Sequence, residues 1–257
     1  MVGGAETLPA VIPISCDSRD GVEITLFVAC YNEAPRIAAT MATIRGALAR
    51  LNIGYEVIVV DDGSTDDSAG AVRRFMEENP RMPILLHHNE RNRGLARSFV
   101  DAAFLGRGRY YRLVCGDNVE DLDTMVRIIS ARGEADIILP YFPHLPGKSR
   151  FRKAVSWAYT MLVDWIGGYR LRYYNGCALY YRFHVMRWSP YDYGFGFQAN
   201  LITTLLEEGA TYKEISVQGR HVDKPGSSSP LTLRNLLSVS KTLSEIAIRR
   251  VRRKIYG

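Results

Sequence analysis

The chain has 257 residues, of which 47% are hydrophobic and 23% charged, with a formal net charge of +6. Such a composition excludes a disordered chain, and the length suits one large α/β domain or two small ones. No run reaches the ~18 uninterrupted apolar residues of a membrane span. The positive charge suits phosphates, anionic lipid or nucleic acid without choosing among them.

Residues 1–20 read as a tail without periodicity. They lack a basic leading region, so no signal peptide is expected. The four cysteines, Cys16, Cys30, Cys115 and Cys177, form no C-x-x-C pair and suit a reducing cytosol. Ile24 to Ala29 is a compact β-like run. Ile37, Met41, Ile44, Leu48 and Leu51 recur at helical spacing, with Pro35 near the first turn. Glu56 to Val60 reads as a buried parallel strand. Ser64 with Asp67 resembles a capping box for a helix carrying Val72, Phe75 and Met76. Ile84 to His87 is the next strand, and Leu95, Phe99, Ala103 and Phe104 the next helix face. Tyr110 to Val114 and Ile137 to Leu139 are further strands. This alternation predicts a parallel sheet with helices on both faces, and such sheets bind ligands beyond the carboxyl ends of their strands.

The second half is less regular. Ala154, Ala158, Met161, Leu162 and Trp165 mark a helix. Tyr169 to Tyr181 is rich in aromatics and glycine, and Lys224 to Pro230 is a loop by composition. Leu231 to Ile255 is a long helical pattern that ends in Arg249, Arg250, Arg252, Arg253 and Lys254. Its Leu233, Leu236, Leu237, Leu243, Ile246 and Ile255 are expected broadly on one side.

Four strand-end loops are polar: Tyr31-Asn32-Glu33, Asp61-Asp62-Gly63-Ser64, Asn89 to Gly94, and Gly116-Asp117-Asn118. Carboxylates at a sheet's carboxyl edge can accept from a ribose or a base N–H, or hold a hard metal through oxygen. One such loop is equally explained by aspartates capping the next helix. Four in register favour a ligand site.

These pieces resemble the family-2 glycosyltransferases of the GT-A fold. The likeness rests on Ala29-Cys30-Tyr31-Asn32-Glu33, Val59 to Asp66, Asn92-Arg93-Gly94 with Ala96, and Gly108 to Asn118. The likeness to the polyprenyl-phosphate sugar transferases, dolichyl-phosphate mannose synthase among them, runs on through residue 220. The resemblance implies an α/β fold with a mostly parallel central sheet flanked by helices, here followed by a C-terminal amphipathic helix. Expected boundaries are a tail at 1–20, a catalytic domain at 21–225 (nucleotide-sugar half 24–120, acceptor half 121–225), and a loop with the basic helix at 226–257.

By the same resemblance, Ala29, Tyr31, Asn32 and Glu33 form the first nucleotide-binding loop. Asp62, with Asp61, contacts the base, and Asn92 and Gly94 close over the nucleotide. Cys115, Gly116 and Asp117 fall on the Asp-x-Asp motif, so Asp117 is the expected ligand of Mg2+ or Mn2+. Cys115 departs from the motif, and a neutral thiol is a poor Mg2+ ligand.

On the acceptor side, Gly194 to Asn200 contains no acid that could serve a sugar hydroxyl as base, whereas a lipid phosphate is already ionised. Arg150 and Arg182 are the first choices to hold that phosphate, with Arg152, Gln198, His221 and Lys224 as further acceptor residues. Tyr173 to Tyr180 resembles the acceptor-region strand of the same enzymes. The expected partners are a nucleotide-sugar donor, a polyprenyl phosphate and an anionic membrane surface, with a homo-oligomer left open and no nucleic acid. The expected place is cytoplasmic, peripheral at the inner face of the membrane. Two alternatives stand: transfer to a saccharide hydroxyl, or a non-catalytic nucleotide-binding module in which Cys115 marks lost activity.

Overall fold

The β-branched runs of the first half alternate with amphipathic segments, and each run pairs beside its neighbours. In the computed structural model, which describes residues 21–143, 150–190, 193–218 and 232–256, the strands are β1 (Ile24–Cys30), β2 (Tyr55–Asp61), β3 (Ile84–His88), β4 (Tyr110–Cys115), β5 (Ile137–Tyr141), β6 (Leu179–Tyr181) and β7 (Tyr212–Ser216). They form one sheet in the order β3-β2-β1-β4-β6-β5-β7. All pairings are parallel except those of β6, which runs antiparallel to both β4 and β5.

The helices are α1 (Ile37–Leu51), α2 (Ser68–Glu78), α3 (Leu95–Leu105), α4 (Leu122–Ser130), α5 (Arg150–Gly167), α6 (Arg182–Arg187), α7 (Phe197–Glu207) and α8 (Leu233–Tyr256). Alternate strand residues supply two cores. Leu26, Val28, Val57 and Val59 meet α1, α2 and α4 on one face. Phe27, Ile58, Val60, Tyr111 and Leu113 meet α3, α5, α6, α7 and α8 on the other. This is the period-two burial of a sheet covered on both sides.

Three expectations need correction. The capping box is absent: Asp67 is the N-cap of α2 but makes no side-chain cap bond. Instead Asp66 Oδ1 accepts from Ser68 N at 3.0 Å, while Ser64 Oγ accepts from Asn32 N at 2.9 Å. The apolar residues of α8 fall within about half a turn of one another but do not share one environment. Ile246 is fully buried and Leu243 packs on the core, whereas Leu236, Leu237 and Ile255 are exposed. The tyrosine-rich tract is a strand only over its last residues, Leu179–Tyr181. The side chain of Leu233, the tail at 1–20, and the loop carrying His221 and Lys224 lie outside the described residues.

Candidate active site

The carboxyl ends of β1, β2, β3 and β4 bring the four polar loops together, and their polar side chains stitch them to one another. Asn32 adopts a left-handed φ of 54°. Its Oδ1 accepts from Thr65 N at 2.8 Å, and Glu33 N donates to Ser68 Oγ at 2.8 Å. Glu33 is buried and receives a bond from Arg36 Nε at 3.0 Å. Tyr31 stays 47% exposed beside them.

Asp62, expected at the base, is turned to the neighbouring loop. Its Oδ1 accepts from Asn89 Nδ2 at 2.7 Å, Arg93 N at 3.0 Å and Ser98 Oγ at 3.2 Å, and its Oδ2 accepts from Gly94 N at 2.8 Å. Gly94 permits this turn because its φ is 88°, which side chains rarely adopt. Gly63 is equally required, since a Cβ there would lie 2.7 Å from the Arg91 backbone. Asp61 is 1% exposed, accepts from Ser64 N at 3.1 Å, and meets His88 Nδ1 at 2.9 Å. His88 lies one residue past the expected strand Ile84 to His87 and closes β3. The signal that finds it is register, because His88 on β3 lies directly opposite Asp61 on β2.

At the end of β4, Gly116 N donates to Ala29 O at 2.9 Å, and its carbonyl accepts from Thr40 Oγ1 at 2.8 Å. This clamps the turn that presents Asp117, whose Oδ1 is buried. Asn118, at φ 55°, accepts at its Oδ1 from Thr43 Oγ1 at 3.1 Å. Cys115 faces Cys177 with 3.8 Å between the sulfurs. That shared contact, and then burial, hold the Cys115 thiol well above the usual cysteine range. It therefore stays neutral. Among the described residues no three of His, Cys, Asp and Glu cluster to hold a metal. A hard divalent cation takes oxygen ligands, of which Asp117 would supply one carboxylate at this turn.

Sequence reading missed what fixes this turn. Arg112, in the middle of β4, is fully buried; its Nη2 donates to Glu120 Oε2 at 2.6 Å and its Nε to Cys177 O at 3.1 Å. The guanidinium thus ties the Asp117 turn to the segment leading into β6.

The expected acceptor residues separate. Arg182 is not at the site. Its Nε donates to Gly108 O at 2.7 Å and its Nη1 to Ala103 O at 3.0 Å, at the amino end of β4, the opposite edge of the sheet. An antiparallel β6 carries the chain back to that edge. Arg150 is exposed and is not among the residues lining the adjoining groove, but Arg152 and Gln198 are.

This groove, of about 1520 Å³, starts at Asn92 and Gly94 and continues past Tyr159, Tyr173 and Phe195 to Leu236 and Leu237. Its described lining is largely apolar, with two cations, Arg152 and Lys241, and no carboxylate. Burial raises the Tyr173 hydroxyl to about 12. Asn200 is buried and structural: its Oδ1 accepts from Trp188 Nε1 at 3.0 Å.

Comparison with known proteins agrees with this layout. The model of glycosyl transferase family 2 matches residues 25–187. The chain is 26% identical over 166 residues to a dodecaprenyl-phosphate galacturonate synthase of Rhizobium johnstonii, covering 63% of this chain and 48% of that protein. It is 27% identical over 114 residues to a dolichyl-phosphate beta-glucosyltransferase of Dictyostelium discoideum, covering 42% of this chain and 35% of that one. The matches thus span about half or less of those relatives' lengths. The fold is similar to that of the mannosyltransferase PcManGT of Pyrobaculum calidifontis, solved with GDP-Man and Mn2+, with a TM-score of 0.60 and 18% identity over 91% of this chain and 76% of that one. With a family model matched over more than half its length, and the family's loops gathered at one sheet edge, the chain belongs to glycosyl transferase family 2.

Proposed function

We propose that the chain transfers a sugar from a nucleotide-diphosphate sugar to a polyprenyl phosphate, inverting the anomeric centre. The observation that carries this is the groove: wide, apolar, furnished with two cations and lined by no carboxylate among its described residues. A hydroxyl acceptor needs a base to take its proton, and a carboxylate is the usual one. A phosphate oxygen is anionic already and needs only to be held in line with the anomeric carbon. With no carboxylate among the described lining residues to form a glycosyl-enzyme intermediate, the reading is direct attack by the phosphate, and one displacement inverts. Both curated relatives above are named for lipid-phosphate substrates.

The donor binds over the loops of Tyr31 to Glu33, Asp61 to Ser64 and Asn92 to Gly94. Asp117 is the residue that would hold Mg2+ or Mn2+, and a cation bound there supplies charge stabilisation to the diphosphate leaving group. Arg152 replaces Arg150 and Arg182 as the residue that holds the acceptor phosphate, since guanidinium matches phosphate oxygens in a bidentate way. The chain acts peripherally at the inner face of a membrane, where such an acceptor lies. No helix among the described residues is long and apolar enough to cross one.

The test is a panel of nucleotide sugars with a short-chain polyprenyl phosphate, with and without Mn2+. Product on the lipid phosphate supports the reading; transfer to a free sugar hydroxyl instead overturns it. R152A should raise the acceptor KM about tenfold with the donor KM unchanged. D117A should lower kcat on the order of a hundredfold or more with the fold intact. R182A should leave both KM values alone.

A further inference from the structure

The outer face of α5 differs from the rest of the surface. Trp157, Met161 and Trp165 recur every four residues and are 65%, 51% and 78% exposed. That spacing puts them in one stripe. The helix already buries its inner face, through Thr160 and Val163, so the stripe is not a core face turned outward. Contiguous exposed apolar surface of this kind marks an interaction site.

The charge around the stripe narrows the partner. Arg150 and Lys153 are exposed and fall on the same side of the helix at its first turn. The one acid of α5, Asp164, faces inward and accepts from Leu171 N at 3.1 Å and Tyr174 Oη at 2.7 Å. At the far end, Arg250 of α8 donates to the carbonyls of Trp165 and Ile166, both at 2.7 Å. Arg253 and Lys254 lie one turn further along the same side of α8 and are exposed. An aromatic stripe thus has cations at both ends and no carboxylate between them.

We propose that this face docks on an anionic lipid bilayer, with Trp157 and Trp165 at headgroup level and the flanking cations against lipid phosphates. Tryptophan favours the membrane–water interface because its ring is apolar and its N–H polar. Basic residues beside it add attraction to an anionic leaflet. A second copy of the chain fits poorly, because the self-complementary contact would set cation against cation. Val155, Tyr159 and Leu162, on another side of the same helix, line the groove, so docking sets the groove beside the lipid. In that respect the proposal deepens the lipid-acceptor reading and rests on it.

The chain provides its own probe. Of its three tryptophans, Trp188 is 5% exposed and packs against Tyr193 and Phe197, so changes in emission report Trp157 and Trp165. The full chain is mixed with vesicles of phosphatidylcholine, with or without phosphatidylglycerol, some bearing brominated acyl chains. Anionic vesicles should shift the emission to the blue, bromine should quench it, and salt should reverse both. W157A/W165A should lower vesicle partitioning about tenfold, and R253Q/K254Q on the order of tenfold at low salt. Nucleotide binding by calorimetry should be unchanged in both variants, which separates docking from donor binding. Wild-type partitioning by W157A/W165A would overturn the proposal. So would an emission shift that follows protein concentration and sedimentation rather than vesicles, because the face would then be covered by a second copy. If the vesicles bind but no lipid phosphate is glycosylated, the acceptor reading fails while the docking stands.

Discussion

Asp61 and Asp62 are neighbours in sequence with different partners in space. Asp62 gathers four donors from the loop and helix start at residues 89–98, and Asp61 engages His88 and the turn at Ser64. Asp62→Ala strands several buried donors at once, so it should destabilise the fold by about 2–3 kcal/mol, read as a lower urea midpoint with the slope unchanged. Its effect on nucleotide affinity then comes through a loosened loop at Asn92 and Gly94. Unchanged stability with weakened nucleotide binding would instead return Asp62 to direct base contact. The acidic pair was legible because two aspartates after a β-branched run can only fall at a strand end. Their partners were not, because a carboxylate's donors come from loops distant in sequence. Cys115 was legible as a departure from the motif, but its contact with Cys177 depends on β6 running antiparallel beside β4.

Among the elements, β4 is tied to the segment after the Asp117 turn by an ion pair with a fully buried arginine. Arg112 on β4 is fully buried, and its partner Glu120 lies just past the Asp117 turn. Removing one member of such a pair leaves an uncompensated charge, so E120A should cost about 3–5 kcal/mol. R112M/E120L, which removes both charges, should be markedly milder. Equal losses in the two variants, measured by chemical denaturation, would mean the pair contributes packing rather than charge. The strands β1 to β4 could be read from sequence because each is a dense apolar run between turn residues. The bounds and antiparallel direction of β6, and the short α6, could not. A three-residue strand among aromatics has no period to detect, and that error alone sent Arg182 to the wrong edge of the sheet. Arg150 was misplaced for a smaller reason: two residues along a helix is a turn of about 200°, which is the difference between groove and surface.

At the scale of the whole molecule, acid should weaken the fold through His184. It is 6% exposed, and burial, with Arg187 next in importance, holds it down to about 4 from its ordinary 6.5. The unfolded chain therefore takes up the proton first as pH falls, and stability is lost between about pH 6.5 and about 4. H184Q should lose less stability than the wild type between pH 7 and pH 4.5, compared by urea midpoints. An identical loss would show that His184 is not the group responsible. The α/β architecture was legible from alternation alone, whereas the orientation of α8 was not, because its apolar residues divide between core and surface and only packing says which. The strand order carries one more consequence, for the chain as it leaves the ribosome. The donor side, β3-β2-β1-β4, has all its internal neighbours once Cys115 has emerged. Strand β5 has no sheet neighbour when it emerges, since among the described residues it pairs with β6 and β7, both synthesised after it. With synthesis at about 5–20 residues per second, the nascent donor half can close its ladder while β5 waits. A nascent chain that has emerged to any point between residues 142 and 178 therefore carries a paired donor half and a β5 without a sheet neighbour.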